Sequence, residues 1–165
     1  MVAVICILPV SRILQGVLDN AELMDLALAE ARKAAELGEV PVGAVVALGK
    51  EVLAARHNER QRLCDPTAHA ELLALRDAAA VLGTSHLDGA VLVTTLEPCC
   101  MCAGAAVLAR VARVVFGADD PKAGACGSLY NLGVDPRLNH NFEVTSGVGR
   151  DEAATLLKDF FAERR

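Results

Sequence analysis

The chain has 165 residues, which is enough for one globular domain with a substantial core and short for two. Its composition, 53% hydrophobic and 22% charged, excludes an intrinsically disordered protein. A net charge of −5, with four Phe, one Tyr and no Trp, argues against a broad basic and aromatic nucleic-acid surface, but not against a local basic rim.

Residues 1–20 are predicted to be a poorly ordered extension, followed by a single domain over residues 21–165. The apolar run from Val2 to Val10 is far shorter than the roughly 20 residues that cross a bilayer. It also lacks the basic start and the cleavage site of a signal peptide. We therefore expect no membrane association and a cytoplasmic location.

The six cysteines do not suggest a disulfide framework. Cys99, Cys100 and Cys102 are almost adjacent, which makes bridges among them difficult, whereas Cys6, Cys64 and Cys126 are scattered. Scattered cysteines usually behave as small hydrophobic residues. The distribution indicates a reducing compartment with thiolates that bind metal.

Helices and strands are predicted to alternate along the chain. Gly38 and Gly83 are expected to end the first two helices, and Asp65-Pro66 to start the second as N-cap and first residue. The predicted helices cover 21–37, 66–82, 98–111 and 150–163, and the predicted strands cover 42–48, 51–57, 90–95, 113–117 and 142–145. The segment 58–64 is expected to be turn-like and 119–135 a long loop. This alternation predicts a layered α/β domain with a largely buried sheet.

Two short motifs carry the chemistry, His69-Ala70-Glu71 and Pro98-Cys99-Cys100-Met101-Cys102. Cys99 and Cys102 are three residues apart, so a helical turn brings both thiols to one side. One imidazole and two thiolates make three protein ligands, which leaves a zinc ion one position for water. His-x-Glu followed by Pro-Cys-x-x-Cys is the signature of the zinc-dependent nucleobase deaminases.

Simpler interpretations explain each motif separately but not the two together. A redox Cys-x-x-Cys leaves His-x-Glu unexplained, and a zinc ribbon needs a second Cys-x-x-Cys. His69 alone could be a core histidine and Glu71 alone a solvated helix residue. Cys100 lies about 100° around the helix from Cys99, so we assign it to packing.

Glu71 is predicted to be the proton shuttle. Two thiolates cancel the charge of zinc, so the site should acidify water less than an all-histidine site does. The positive ends of the two helices compensate in part. Glu71 can carry the proton of the water to the ring nitrogen and to the departing amine. Burial in a partly desolvated pocket would raise its pKa and suit that role.

From about Met24 to Arg164 the chain resembles the bacterial tRNA-specific adenosine deaminases of the cytidine deaminase superfamily. The downstream loop and the final Phe pair favour the tRNA branch in particular. The resembling stretches are residues 38–45, 57–58, 65–71, 96–105, 114–117, 122–125, 127–129, 139–140 and 159–161.

The resemblance implies a three-layer α/β/α fold with a mixed, about five-stranded central sheet. It also implies one Zn²⁺ per subunit on His69, Cys99 and Cys102, Glu71 as proton donor and a homodimer. The reaction would convert adenosine to inosine at wobble position 34 of arginine tRNA, in the anticodon stem-loop. Substrate contacts would come from the five residues Asn58, Pro41, Val42, Ala70 and Pro98.

Two other functions stay open from the sequence. A deaminase of a free base or nucleoside such as guanine or cytidine fits the acidic charge and the few aromatic residues, and would use the same zinc chemistry. An inactive zinc-binding partner subunit would be expected to lack the carboxylate that Glu71 supplies. A basic rim for RNA could come from residues 56, 57, 60 and 62 or from 150, 158, 164 and 165, although an ordinary solvated face also explains these charges.

Overall fold

The computed structural model describes residues 18–164, and the predicted extension lies outside them except for Leu18, Asp19 and Asn20. Five helices and five strands follow in the order α1 (Asn20–Glu36), β1 (Gly43–Leu48), β2 (Glu51–His57), α2 (Arg60–Leu63), α3 (Ala70–Leu82), β3 (Val91–Leu96), α4 (Cys100–Leu108), β4 (Arg113–Ala118), β5 (Glu143–Ser146) and α5 (Arg150–Ala162). Within residues 18–164 no helix combines the length and the apolar character needed to cross a bilayer.

The five strands form one mixed sheet in the order β2-β1-β3-β4-β5. β1 runs antiparallel to both β2 and β3, whereas β3, β4 and β5 are parallel. Gly49 and Lys50 form the tight turn between β1 and β2, with Gly49 at a φ of 61°. The mixed five-stranded sheet is therefore confirmed.

Helices cover both faces of the sheet, which makes the predicted three layers. Alternation along β1 sends Ala44 and Val46 to the face packed by α3 and α4, and Val45 and Ala47 to the face packed by α1 and α5. Because both faces are buried, the strands read as nearly continuous apolar runs. The core is built from Ala, Val and Leu with few aromatic rings.

Helix α1 begins and ends on local signals. Asp19 and Glu22 form a reciprocal capping box, in which each side chain accepts the backbone N–H of the other residue. At the other end Gly38 takes a φ of 78°, its N–H binds Ala35 O, and the N–H of Glu39 binds Ala34 O at 2.9 Å. This is a Schellman motif, and it fixes where Glu39 leaves the helix.

Two predicted helix starts were wrong. Asp65 does not cap a helix; its Oδ1 accepts hydrogen bonds from the N–H and hydroxyl of Thr67, and α3 begins only at Ala70. Such a local turn competes with helix initiation. Likewise α4 begins at Cys100 rather than at Pro98. The segment predicted as turn-like contains the short helix α2.

Candidate metal centre

His69, Cys99 and Cys102 meet at one point although 30 residues separate the first two. Cys99 Sγ lies 3.8 Å from His69 Nδ1 and 3.7 Å from Cys102 Sγ, and Cys102 Sγ lies 3.5 Å from His69 Nδ1. A tetrahedral zinc with bonds of about 2.3 Å to sulfur and about 2.0 Å to nitrogen spaces such atoms roughly 3.5–3.8 Å apart. Within residues 18–164 this is the one group of metal-ligand side chains that could hold an ion.

Two helix N-termini supply this geometry. His69 is the N-cap residue of α3, and Cys99 is the N-cap residue of α4, with Cys102 in the first turn. Backbone N–H groups at a helix N-terminus favour negative charge, as thiolates carry. The pKa of Cys99 falls to about 3, because the Cys102 thiol and then the His69 ring hydrogen-bond to it. The pKa of Cys102 is raised by the same sulfur contact and by burial.

Glu71 lies beside this cluster, in the first turn of α3, and is 3% exposed. Burial raises its pKa, as the sequence predicts. Among the described residues its Oε2 atom has no hydrogen-bond partner. A buried carboxyl oxygen without a partner is costly, so its presence here indicates a group that is completed by something bound in the site.

The five predicted substrate contacts are all buried. Ala70 follows His69 and Pro98 precedes Cys99, so both belong to the helix starts. Val42 O accepts the N–H of Asn58 at 3.0 Å, which joins the segment before β1 to the segment after β2. The N–H of Glu59 binds Ala68 O at 3.0 Å, which brings Asn58 towards the turn that presents His69.

Sequence reasoning missed Glu97, which organises the loop that follows β4. Its carboxyl group accepts the N–H groups of Asp120, Cys126 and Ser128 at 3.0, 3.0 and 2.9 Å, and also the Ser128 hydroxyl. The loop in turn donates the N–H of Ala125 to Pro98 O at 2.8 Å. One acidic residue before Pro-Cys is a weak signal, because its partners lie more than 20 positions away.

Cys100 is exposed in the single chain, so its assignment to packing inside the domain was wrong. It lies in a surface groove of about 520 Å³ between α3, α4 and the turn near Leu132. Cys64 is also exposed and Cys126 is buried, whereas Cys6 lies outside the described residues. The groove is lined almost entirely by apolar side chains, namely Leu72, Cys100, Met101, Gly104, Ala105, Val107, Leu108, Leu132 and Leu138.

The two predicted basic rims differ in their surroundings. Near the site, Arg56 and Arg62 both pair with the buried Glu59, and Arg56 pairs with Asp77 as well. Along α5, Lys158 and Arg164 border a second groove of about 540 Å³. Lys122, Leu157, Phe161 and Ala162 complete its lining. Arg165 lies outside the described residues.

Comparison with known proteins agrees with this geometry. Residues 18–165 match the MafB19-like deaminase family. The tRNA-specific adenosine deaminase of Bacillus subtilis (strain 168) is 51% identical over 142 residues, which cover 86% of this chain and 88% of that protein. A structure solved in studies of A-to-I editing by tRNA:A34 deaminases at the wobble position superposes with a TM-score of 0.79 at 46% identity, covering 82% of this chain and 98% of that one. Guanine deaminase from Nitrosomonas europaea superposes with a TM-score of 0.73 at 31% identity, covering 89% of this chain and 87% of that one.

A layered sheet that brings a His/Cys/Cys group and a buried glutamate together defines a hydrolytic deaminase, and these relatives have the same fold. The chain belongs to the MafB19-like deaminase family, among the bacterial tRNA-specific adenosine deaminases of the cytidine deaminase superfamily.

Proposed function

We propose that this protein is a zinc-dependent enzyme that deaminates adenosine to inosine at wobble position 34 of a tRNA, with arginine tRNA as the substrate. The observation that carries the proposal is the triangle of His69 Nδ1 and the two sulfurs of Cys99 and Cys102, with the partnerless Glu71 oxygen beside it. The relatives that bear the name tRNA-specific adenosine deaminase supply the substrate class.

The donor set fits one Zn²⁺ per subunit. Thiolate and imidazole are ligands that zinc accepts, and the three atom separations are those of a tetrahedral site. Three protein ligands leave a fourth position for water. Zinc bound by these three side chains would supply a water of lowered pKa as the nucleophile near neutral pH.

Glu71 is the proton carrier in this proposal. Burial raises the pKa of its carboxyl group, which suits a group that must accept a proton and give it back, and the same burial keeps bulk water from competing for that proton. The carboxylate takes one proton from the attacking water and delivers it to the ring nitrogen beside the attacked carbon as the C–O bond forms. It then moves the second proton of that water from the new hydroxyl group to the amino group, so that the C–N bond breaks, the carbonyl forms and ammonia leaves. Pro41, Val42, Ala70 and Pro98 enclose the base, and Asn58 hydrogen-bonds to it.

The anticodon stem-loop is proposed to bind along the second groove. Lys122 and Lys158 can meet phosphates, and Phe161, 49% exposed, offers a ring on which a base can stack. The charges of Arg56 and Arg62 near the site are matched by Glu59 and Asp77, which makes that rim the weaker candidate. A local groove of this kind reconciles an RNA substrate with an acidic chain.

A homodimer is proposed to cover the apolar groove. Leu108 is 79% exposed there, next to Met101 and Leu138, and the small residues Gly104 and Ala105 allow a second helix to approach closely. Sedimentation velocity should give the mass of two chains. Leu108→Glu should give one, whereas Val81→Glu, on an exposed position outside the groove, should leave the dimer intact. A monomeric unmodified protein would contradict this part of the proposal.

We also propose a cytoplasmic location, because the site requires reduced thiols. The loop that approaches Cys99 through the Ala125–Pro98 hydrogen bond is held by Glu97, and the cysteine within it, Cys126, is a buried free thiol.

A deaminase of free guanine is the second candidate, since the guanine deaminase of Nitrosomonas europaea shares the fold at 31% identity. The test uses anticodon stem-loops with adenosine or cytidine at the wobble position and measures the formation of inosine. In parallel, it measures ammonia release from free guanine and cytidine. The proposal expects turnover of the adenosine stem-loop. Activity confined to the free bases would reject it in favour of the second candidate.

A further inference from the structure

Glu39 is a buried acidic residue that the proposed reaction does not use. It is 2% exposed, at the point where the chain leaves the Schellman motif at the end of α1. Its Oε1 accepts the backbone N–H of Arg62 at 2.8 Å, and its Oε2 accepts the Nδ2 group of Asn58 at 3.2 Å. Both carboxyl oxygens are therefore occupied by donors.

These two donors differ in their freedom to move. The Arg62 N–H belongs to the backbone of α2, which cannot turn without unwinding that helix. The amide of Asn58 can rotate by a half turn and exchange Oδ1 for Nδ2. In the rotated form Oδ1 would face the Glu39 carboxyl oxygens, acceptor against acceptor, in a buried place.

From this geometry we propose that Glu39 is a positioning residue that holds the Asn58 amide in one orientation for the substrate. Glu39 takes one N–H of Nδ2 and leaves Oδ1 and the second N–H to meet the base. The proposal rests on the proposed function, because it assumes that Asn58 contacts the substrate. The Schellman motif fixes where Glu39 leaves α1, and Glu39 in turn determines which end of the Asn58 amide faces the base.

Glu39→Gln tests this orientation directly. The glutamine oxygen is expected to keep the fixed N–H of Arg62, so that its NH₂ group faces Asn58. The Asn58 amide must then turn to offer Oδ1, which places Nδ2 where Oδ1 had been. We expect kcat/KM for the stem-loop to fall by about tenfold, the order of effect of one mismatched buried hydrogen bond.

A double-mutant cycle with Asn58→Ala separates positioning from general structural damage. Glu39→Gln should lower kcat/KM by no more than about twofold once Asn58 is alanine. Glu36→Gln, an exposed neighbour on the same helix end, is the matched control and should change nothing. Equal losses from Glu39→Gln in both backgrounds would overturn the proposal.

Failure of the underlying function gives a different result. If Asn58→Ala leaves kcat/KM unchanged while Glu71→Gln abolishes turnover, the deaminase stands and both the Asn58 contact and the positioning role are wrong. If the stem-loop is not a substrate, the cycle is run on guanine.

A second measurement needs no substrate. The side-chain amide protons of Asn58, identified by their loss in Asn58→Ala, should shift in a ¹H–¹⁵N spectrum of Glu39→Gln and not of Glu36→Gln. Unshifted protons would also overturn the proposal.

Discussion

His69 and Cys99 occupy equivalent positions on two different helices: each is the N-cap residue, and His69 Nδ1 lies 3.8 Å from Cys99 Sγ. The carbonyl oxygen of each accepts the helical N–H four residues later, from Leu73 and Ala103. Each side chain is thus held by the first turn of its helix. The positive ends of both helices converge on the same point, which favours the thiolate form of Cys99.

Replacing Cys102 by alanine should remove the metal. With two of three protein ligands left, we expect zinc content to fall from about one ion per chain to less than about 0.1, with at least a 100-fold loss of turnover. Plasma emission spectroscopy of the purified protein measures the zinc. Cys100→Ser is the matched control, because this exposed neighbour points away from the cluster and should retain full zinc. Equal loss from both variants would contradict the ligand assignment.

Replacing Glu71 by glutamine should separate metal binding from proton transfer. The amide has nearly the same shape but cannot carry the proton, so kcat should fall by about 10²–10⁴-fold while zinc content stays near one per chain. Single-turnover kinetics with a stem-loop measures this step. Glu51→Gln, an exposed site on β2, should behave as the unmodified protein. Near-normal turnover in Glu71→Gln would exclude the shuttle role.

The contact between Gly124 and Glu97 should be intolerant of any side chain. A Cβ on Gly124 would lie 2.3 Å from Glu97 Oε2 and 2.6 Å from Asp120 O. We expect Gly124→Ala to lower the free energy of unfolding by about 1–3 kcal/mol, as overpacking does. Glu36→Gln, at an exposed position, is the control and should leave that free energy unchanged. Urea denaturation of both variants gives the comparison.

Stability should fall in acid through Glu97. Burial raises its pKa, but hydrogen bonds from the Ser128 hydroxyl and three N–H groups outweigh burial and leave the pKa below its ordinary value of 4.5. A lowered folded-state pKa contributes stability above pH 4.5, and this contribution is lost as the pH falls through the folded-state value.

The free energy of unfolding, measured by urea denaturation between pH 6 and pH 3, should therefore fall less steeply with acid for Glu97→Gln than for the unmodified chain. Glu36→Gln, at an exposed position, should keep the original slope. Parallel slopes in all three proteins would show that the hydrogen bonds to the Glu97 carboxylate do not cause the loss of stability in acid.

Removing lysines from the second groove, along α5, should weaken binding of the RNA stem-loop and leave the turnover of small substrates unchanged. Lys122→Ala combined with Lys158→Ala should raise KM for the stem-loop by about tenfold. It should also reduce the dependence of log affinity on log salt by roughly 0.7 for each lost phosphate contact. Turnover of a free base, where measurable, should not change. Lys50→Ala in the β1–β2 turn is the control, and an equal effect there would indicate attraction by charge in general.

The His/Cys/Cys cluster could be predicted from the sequence because a short helical turn relates Cys99 to Cys102 and because few sets of side chains match the donors that zinc accepts. The strands could be predicted because a sheet buried on both faces leaves continuous apolar runs such as Val42–Leu48. Helix ends were less predictable. Asp65-Pro66 has the composition of a helix start, yet the side chain of Asp65 closes a turn on Thr67 instead.

By itself, then, the sequence determined the side-chain types of the candidate metal centre, their local spacing and the layered α/β class, since these depend on neighbours along the chain. Only the tertiary structure decided that Glu39 meets Asn58 and that Glu97 holds the loop of Asp120 and Ser128. A carboxylate accepts any N–H that folding brings within reach, and nothing in its own neighbourhood specifies which one. The same reason applies to Cys100, whose exposure depends on elements packed far from it in sequence.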